Sequence, residues 1–463
     1  MLEQFFNPNS VAVIGASRNP SSAGQGVVKS LLKGGVFKSK TNKPFKGKIY
    51  PINPKADSIL GIKCYKNLLD IKGKIDLAVI VVPAKIVPFV LRDCAKKGVK
   101  GVIIISAGFG EIGEAGKELE IEVLRIAKKA NIRIIGPNCL GLMRPSNSLN
   151  ASFGPCMPHS GKVAFFSQSG ALIDSVIDWS LEVNYGFSTV VSIGNKADIG
   201  LGDLLKWAKE DKKTKSIAIY LEGLTDGKRF MRIAKEVSKY KPIVALKAGR
   251  SKTGMKAVSS HTGSLAGSYE IYKAAFKQSG VHIADNVDEL FEKAEALASQ
   301  PPCKNNIAII TNGGGAGVLC ADHCEKLGIN LAELSFETLD KLDNSGRMHY
   351  AYSRRNPLDL VGDALHDRYD IAIDTLLQQK NIHGLIVIQT LQTMTQPILD
   401  AKAVLKARKK YPNKPIVTSY MGGKFSRDAV ELLENNHVPD FNVPYKAATA
   451  MYALIQRYRW LNR

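Results

Sequence analysis

Short apolar runs rich in β-branched residues alternate with longer segments of helical periodicity along the whole chain. Glycine, proline and asparagine bound most of these runs, as they do at the ends of strands. A strand, a crossover helix and a second strand in this order form a parallel sheet that is covered by helices. The alternation therefore predicts an α/β protein built on parallel sheets.

The chain is long enough for more than one sheet. Its 463 residues, at roughly 150 residues per domain, favour three domains. The strand pattern restarts after a turn-rich passage, Asn147 to Gly161, which we interpret as a linker, and again after Gln300. We therefore expect three domains with doubly wound sheets, over residues 1–146, 147–300 and 301–463.

The charge balance favours anionic partners without choosing among them. Sixty-four Lys and Arg against 42 Asp and Glu give a net charge of +22, which suits small anionic ligands, an acidic protein, nucleic acid or a membrane surface. No apolar run approaches the roughly 20 residues that span a bilayer, and no signal peptide is recognisable. No zinc-finger, homeodomain or RNP motif is present. We expect a cytoplasmic protein without membrane or nucleic-acid partners.

The seven cysteines are scattered and form no C-x-x-C pair. An odd number without paired spacing argues against both a disulfide framework and a zinc site. Cys320, His323 and Cys324 lie close together, but in a helix-like stretch beside apolar residues. We expect them to be buried structural residues, and we expect no protein-bound metal.

The first candidate site is the strand and turn VAVIGAS, in which Gly15, Ala16 and Ser17 are small enough for a phosphate to approach the next helix. The glycine spacing is not that of a full dinucleotide fingerprint. Lys55, in IYPINPK, stands where a dehydrogenase places a carboxylate, and it fits a phosphorylated ribose better than NAD. Tight turns without a ligand are an equally open interpretation.

Two further strand ends lead toward the same crevice. One is VVPA, with Pro83, and the other is ISAGFGE, with Ile105, Ser106 and Ala107. Doubly wound sheets bind ligands just beyond the carboxyl ends of their strands. These residues are therefore candidates for the same ligand site.

Two glycine-rich turns each open a helix further along the chain. They are SQSG, with Ser169 and Gly170, and TNGGGAG, with Gly315 and Gly317. Exposed N–H groups at a helix start bind phosphate well, although neither turn has the lysine of a P-loop. A phosphate that passes between two sites would explain both turns, and plain tight turns are the alternative.

The segment from Lys247 to Gly267 is built almost entirely of small, polar and basic residues around His261. It lacks amphipathic periodicity, so we expect a mobile surface loop. An imidazole among hydroxyls and the backbone of Gly263 can accept and return a phosphoryl group without a metal. Glu222, at the end of a strand, can hold the imidazole tautomer that attacks, although a simple surface glutamate is the alternative.

Taken in order, these motifs closely resemble the α subunit of the ADP-forming acyl-CoA synthetases, the acetate–CoA ligases of the succinyl-CoA synthetase superfamily. The resemblance covers essentially the full chain, and SQSGAL, GNKAD and SSHTGSLAGS form a highly specific set. It implies a Rossmann-like CoA-binding domain followed by two flavodoxin-like domains. One departure is the loop RNPSSAGQG, where many relatives have a lysine before the second glycine.

The resemblance implies a reaction in which acyl-CoA, phosphate and ADP give a small acid, ATP and coenzyme A. The phosphoryl group would pass from acyl phosphate to His261, supported by Glu222, and then to ADP with Mg²⁺ on an ATP-grasp β subunit. A heterotetramer of two α and two β subunits is implied. The CoA-contacting turns would hold Gly15, Ala16, Ser17, Lys55, Pro83, Ile105, Ser106 and Ala107, and the phosphate-binding turns Ser169, Gly170, Gly263, Gly315 and Gly317.

Two other classes of protein stay open at this point. One is a protein acetyltransferase component that carries an inactive copy of this architecture, although such chains usually lose the histidine. The other is a basic, non-catalytic regulator that binds CoA or nucleic acid. Lys and Arg are spread over all three blocks, which does not favour a nucleic-acid patch.

Overall fold

A computed structural model describes residues 2–262 and 268–463, with side chains described for residues 2–258 and 268–463. It divides into two compact units, Met1–Ile283 and Ala284–Arg463. Parallel strands and crossover helices alternate in both units. The α/β fold class is therefore confirmed.

The described ranges contain the following strands and helices. The strands are β1 (Ser10–Ile14), β2 (Lys48–Ile52), β3 (Ser58–Ile59), β4 (Ile62–Lys63), β5 (Leu77–Ile80), β6 (Gly101–Ile104), β7 (Arg133–Ile135), β8 (Gly141–Arg144), β9 (Leu149–Ser152), β10 (His159–Ser167), β11 (Gly186–Ser192), β12 (Ser216–Leu221), β13 (Ile243–Lys247), β14 (Val281–Ile283), β15 (Ile307–Thr311), β16 (Leu358–Asp359), β17 (Gly384–Thr390) and β18 (Ile416–Met421). The α-helices are α1 (Glu3–Phe6), α2 (Ala23–Lys33), α3 (Val87–Lys96), α4 (Glu114–Ala130), α5 (Gly170–Glu182), α6 (Leu201–Glu210), α7 (Gly227–Val237), α8 (Lys252–Thr262), α9 (Tyr269–Ser279), α10 (Val287–Ser299), α11 (Gly314–Leu327), α12 (Phe336–Asp343), α13 (His366–Gln378), α14 (Pro397–Lys410), α15 (Arg427–Asn435) and α16 (Pro444–Leu461).

The first sheet has the order β2-β1-β5-β6-β7, and all its pairings are parallel. The chain starts at the inner strand β1, moves outward to β2 and then returns across β1 to β5. The order therefore reverses beside β1, which is where doubly wound sheets bind ligands. β1 and β5 are buried along their full length, as expected for strands that helices cover.

The second sheet has the order β14-β13-β12-β10-β11-β8-β9. Its first five strands are parallel, and β8 and β9 add an antiparallel hairpin at one edge. The interpretation of residues 147–161 as a linker is wrong for residues 159–161, which begin β10, and for β9. This strand escaped detection because its buried Asn150 and Ser152 satisfy their polar groups through hydrogen bonds and so leave no apolar pattern.

A buried cluster joins α1 to the second sheet inside the first unit. The rings of Phe6 and Trp207 stack with centroids 3.5 Å apart. The Arg144 guanidinium lies over the Trp207 ring at 5.1 Å and forms an ion pair with Asp211 at 2.8 Å. The first two sheets are thus tied together by buried contacts between side chains far apart in sequence.

The second unit holds a parallel sheet of the order β16-β15-β17-β18. α10 belongs to this unit and packs against the terminal helix α16, where Lys446 and Glu292 form an ion pair at 2.6 Å. The chain therefore passes from one compact unit to the other at residue 284. The three domain boundaries that the sequence predicts stay a prediction.

All seven cysteines are buried thiols, so Cys320 and Cys324 are buried as the sequence predicts. The neighbouring His323 is only half-buried, so the prediction of a buried residue is wrong there, and it shares a hydrogen bond of 3.1 Å with the Thr449 hydroxyl. Among the side chains that the structure describes, residues 2–258 and 268–463, no group of three or more His, Cys, Asp or Glu is placed to hold a metal ion. In the same ranges, no helix is both long and apolar enough to cross a membrane.

Candidate active site

The turns that follow β10 and β12 lie side by side, because the two strands are parallel neighbours with Ser167 opposite Tyr220. Gln168 fastens the two turns together. Its side-chain oxygen accepts hydrogen bonds from the backbone N–H groups of Glu222 at 2.5 Å and Gly223 at 3.0 Å, and its side-chain nitrogen donates to the Gly223 carbonyl at 2.7 Å. The backbone at Glu222 is therefore fixed from an adjacent strand.

Glu222 itself is only 6% exposed, so it is not a simple surface glutamate. Glu222 also acts on a neighbouring side chain. Burial raises the pKa of Tyr220, and the negative charge of Glu222 raises it further. A buried carboxylate at the carboxyl end of a parallel sheet can orient a histidine and stabilise a cation on its ring. Glu222 lies at the end of a strand, as the sequence predicts, and its role toward a histidine stays a prediction.

Lys247 ends β13 opposite Leu221 and is 1% exposed. Its ammonium donates a hydrogen bond to the Ala248 carbonyl and lies 4.8 Å from the centre of the Tyr272 ring. Burial lowers the pKa of Lys247, and the charge of Glu222 opposes that shift. Sequence reasoning took Lys247 for a charge on a surface loop and missed that it is a buried cation beside Glu222.

Residues 252–262 form helix α8, so the prediction of a loop from Lys247 to Gly267 is wrong for this part. The helix begins where the Ser251 hydroxyl accepts a hydrogen bond from the Gly254 N–H at 3.0 Å, and Val258 is buried. Among the described side chains of α8, residues 252–258, only Val258 is buried, which gives no amphipathic pattern. The backbone of His261 belongs to the last turn of α8, while the His261 side chain and Gly263 lie outside the described residues.

The two residues predicted at the start of α5 lie beside the Gln168 turn. The Ser169 hydroxyl caps the helix by accepting a hydrogen bond from the Leu172 N–H at 3.2 Å. A side chain at Gly170 would come no closer than 3.3 Å to Leu140. Ser169 therefore has a structural role, and Gly170 keeps the first turn of the helix uncovered. Binding of phosphate at this helix start stays a prediction.

The loop between β11 and α6, residues 193–199, reaches across to the first sheet. Asn195 donates hydrogen bonds from its side chain to Glu111 at 2.6 Å and to Glu120 at 3.1 Å. The Asn195 and Ala197 N–H groups donate to the carbonyls of residues 137 and 136. Lys196, between them, adopts a left-handed conformation with φ 60°.

The Lys196 side chain is half-buried. Burial lowers its pKa, and the charges of Glu222 and Glu120 oppose that shift. Among the described residues, its ammonium has no hydrogen bond and no ion pair within 4.0 Å. The sequence alone assigns no role to Lys196, the lysine of GNKAD, because its importance depends on the loop conformation.

The first predicted CoA-contacting turn is closely packed. Gly15 has φ 91°, and a side chain there would approach the Val81 carbonyl oxygen to 2.4 Å. The Asn53 side chain donates to the Ala16 carbonyl at 2.7 Å, and Arg18 donates to the Lys55 carbonyl at 3.2 Å. Glycine at residue 15 is thus explained by packing. The hydrogen bonds hold Ser17 and Lys55 at the same edge of the first sheet.

The ends of β5 and β6 are brought to that edge as well. The Ser106 hydroxyl donates to the Val82 carbonyl at 2.5 Å, beside the exposed Pro83 and Ala107. Ile105 is buried, so only its backbone can face a ligand. Glu111 accepts hydrogen bonds from the N–H groups of residues 108 and 109. The structure therefore brings the predicted residues of the first sheet to one edge, and their contacts with CoA stay a prediction.

The glycine turn of the second unit opens α11. Gly317 is needed for packing, since a side chain would meet Thr311 at 3.0 Å and Pro357 at 3.3 Å. Gly315 faces open space, with no atom within 4 Å of an added side-chain carbon. Gly314 lies beside the Asp359 carboxylate, whose negative charge opposes phosphate binding there. Of the two predicted residues, only Gly315 leaves room for a ligand.

Comparison with known families gives three consecutive matches in the order that the motifs predict. Residues 9–145 match a CoA binding domain, residues 160–297 match a succinyl-CoA ligase like flavodoxin domain, and residues 307–463 match a ligase-CoA domain. The chain thus has the composite architecture of the CoA ligases.

Individual relatives show which kind of CoA ligase the chain resembles. The chain is 44% identical to the α subunit of acetate–CoA ligase (ADP-forming) II of Pyrococcus furiosus over 99% of this chain and 98% of the relative. It is 47% identical to the acetate–CoA ligase (ADP-forming) of Methanocaldococcus jannaschii, over 97% of this chain and 62% of that protein. A structure of acetyl-coenzyme A synthetase 1 of Candidatus Korarchaeum cryptofilum, solved with phosphate and ADP, matches with a TM-score of 0.91 and 39% identity, over 100% of this chain and 98% of the other. The chain belongs to the family of ADP-forming acetate–CoA ligase α subunits, and the resemblance seen in the sequence is confirmed.

Proposed function

We propose that this chain is the α subunit of an ADP-forming acetate–CoA ligase that interconverts acyl-CoA, phosphate and ADP with acid, CoA and ATP. The observation that carries the proposal is that Glu222 is buried and that Gln168 fixes its backbone next to the start of α5. Glu222 directly follows β12, and β12 is the neighbour of β13, the strand that leads into α8. His261 stands at the end of α8. The proposed site would combine a carboxylate that supports the histidine, a helix start that binds phosphate, and the histidine itself.

The proposed reaction has three steps. A phosphate oxygen attacks the thioester carbonyl carbon, the C–S bond breaks, and CoA leaves as a thiolate that takes up a proton. The imidazole of His261 then attacks phosphorus, the P–O bond to the acyl group breaks, and the carboxylate leaves. Finally, a β-phosphate oxygen of ADP attacks the same phosphorus, and the P–N bond breaks to give ATP and free histidine.

Glu222 has a defined part in this sequence. By accepting the Nδ1–H of His261, its carboxylate would leave Nε2 free to attack and would stabilise the positive charge of the phosphorylated ring. The turns at Gly15–Ser17, Lys55, Pro83 and Ile105–Ala107 would bind CoA. Ser169, Gly170 and Gly263 would bind the phosphoryl group in the first unit, and Gly315, which unlike Gly317 leaves room for a ligand, would do so in the second.

The nucleotide step requires a partner in this proposal. Relatives carry the name of α subunit, which supports a second subunit. We propose an ATP-grasp β subunit that holds ADP and Mg²⁺, in a heterotetramer of two chains of each kind. The Mg²⁺ would enter with the nucleotide and offset the charge of its phosphates.

The test is labelling of the reconstituted complex with [γ-³²P]ATP and Mg²⁺. We expect an acid-labile, base-stable phosphate on this chain that CoA and acetate together discharge. His261→Ala should abolish the label, while the matched change His366→Ala, at an exposed histidine of the second unit, should leave it intact. Labelling of the His261→Ala chain to the same extent as the wild-type chain would contradict the proposal.

A further inference from the structure

Lys196 is a half-buried cation for which the described residues provide no partner within hydrogen-bond or ion-pair distance. Removing an ammonium from water is unfavourable unless an anion compensates for the lost hydration. Burial indeed lowers the pKa of Lys196. The side chain nevertheless lies beside two carboxylates that are already engaged elsewhere. Glu120 accepts hydrogen bonds from Asn195 and the Gly110 N–H, and Glu222 adjoins the buried Lys247.

The backbone holds Lys196 in place at a conformational cost. A left-handed conformation is unfavourable for residues other than glycine, and the structure fixes it from both sides. The neighbouring Gly194 packs so closely that a side chain there would lie 2.1 Å from the Pro137 carbonyl oxygen. Asn195 is held by the two glutamates of the first sheet. A strained, rigidly supported cation of this kind is typical of a functional position.

The location of Lys196 indicates which anion it meets. Glu120 bonds to Gly110, just beyond the end of β6, where Ser106 and Ala107 lie. Glu222 stands at the end of β12 beside the start of α5. Both charges act on the Lys196 ammonium. Asn195, the neighbour of Lys196, is bonded to Glu120, so the loop holds Lys196 at the edge of the first sheet, where the thioester would bind. The charge of Glu222 acts on the same ammonium, so the residues that would receive the phosphoryl group are also near it.

We infer that Lys196 binds the phosphate dianion that attacks the thioester and then holds the phosphoryl group of the acyl phosphate until His261 takes it. This inference rests on the proposed function and adds to it the residue that recognises the phosphate substrate. A lysine ammonium can donate to two or three phosphate oxygens at once and offset the charge that develops on them. Transfer from histidine to ADP does not need this contact.

The kinetic test uses the complex with the ATP-grasp partner and measures ATP formation from acetyl-CoA, ADP and varied phosphate. Lys196→Met should raise the KM for phosphate by about 10- to 100-fold, since a charge-assisted hydrogen bond is lost. The KM for acetyl-CoA and the labelling of the chain by ATP should stay within about twofold of wild type. Lys196→Arg should recover part of the phosphate affinity. Lys206→Met, at an exposed lysine of α6, is the matched control.

A second measurement needs no partner. N-hydroxysuccinimide acetate should acylate Lys196 in the purified chain, and inorganic phosphate should slow that modification while Lys206 reacts equally in both samples. A phosphate KM within twofold of wild type in the Lys196→Met complex, or equal acylation of Lys196 with and without phosphate, would overturn the inference. Neither result would bear on the proposed function, which fails on the labelling of His261→Ala instead.

Discussion

The side-chain amide of Gln168 fixes the backbone of Glu222, with 2.5 Å between the Gln168 oxygen and the Glu222 nitrogen. Gln168→Ala would remove this hydrogen bond and the two between Gln168 and Gly223. We expect kcat for the net reaction to fall roughly 10- to 100-fold, because small displacements of a reacting group are costly. Gln168→Glu keeps the acceptor and loses the donor, so its kcat should be intermediate. A wild-type kcat in the alanine variant would contradict this role.

The 193–199 loop depends on close packing at Gly194. Gly194→Ala would place a methyl group 2.1 Å from the Pro137 carbonyl oxygen at a residue with φ 51°. We expect the loop to move, with a loss of about 1–3 kcal/mol in unfolding free energy and a raised KM for phosphate. Gly200→Ala is the control, because nothing lies within 4 Å of the added carbon. Equal stability and kinetics of the two variants would contradict the packing argument.

The Arg144–Asp211 pair is almost fully buried, with side chains 6% and 7% exposed. Arg144→Met should cost about 3–5 kcal/mol of unfolding free energy, because Asp211 would remain as a buried charge. Burial alone raises the pKa of Asp211, but the hydrogen bonds from Arg144 and Thr214 outweigh it, so the pKa is lowered.

The sign of the pH dependence follows from that lowered pKa. The stabilisation by Asp211 is fully present above about pH 4, its unfolded pKa, and is lost as the pH falls through the folded pKa. Urea unfolding followed by tryptophan fluorescence should therefore show a difference in unfolding free energy between wild type and Arg144→Met that is smaller at pH 3 than at pH 8, because the unpaired Asp211 of the variant is relieved by protonation while the wild-type pair is lost. A constant difference from pH 3 to pH 8 would contradict the account. The double variant Arg144→Met/Asp211→Asn should recover part of the loss.

The pKa of Asp174 on α5 is shifted in the opposite direction to that of Asp211. Burial raises the pKa of Asp174 to about 6, and one of its oxygens has no hydrogen-bond partner within the described residues. The folded protein therefore loses stability as the pH rises from about 4 to above 6. Asp174→Asn should add roughly 1–2 kcal/mol at pH 7.5 and little at pH 4. Asp178→Asn, at an exposed residue of the same helix, is the control, and an equal gain in both variants would argue against burial as the cause.

Most of the architecture could be predicted from the sequence because parallel strands that helices cover are continuous apolar runs. Strands β1, β5, β6 and β13 are such runs and are buried along their full length. β9 could not be found in this way, because Asn150 and Ser152 occupy its buried positions. Helix α8 could not be found either, because among its described side chains only Val258 is buried, which gives no amphipathic pattern.

The candidate site was predictable only in part. Glu222 was placed correctly, because a carboxylate directly after an apolar strand must lie at the edge of a sheet. The contributions of Gln168 and Lys247 depend on which strands become neighbours, and sequence does not reveal that register. Lys196 depends on a left-handed loop that reaches across to another sheet. Motif residues in the second unit, such as Gly317, have a packing role that sequence could not separate from ligand binding.

The central claim is that His261 carries the phosphoryl group between the acyl phosphate and the nucleotide. The most direct measurement is tandem mass spectrometry of this chain after incubation with acetyl phosphate, without nucleotide or partner. We expect a phosphate on the peptide that contains His261, assigned to that residue, and its discharge to ATP only when ADP, Mg²⁺ and the ATP-grasp partner are added. A phosphate on another residue, or none on the wild-type chain when the reconstituted complex makes ATP from acetyl phosphate and ADP, would contradict the account.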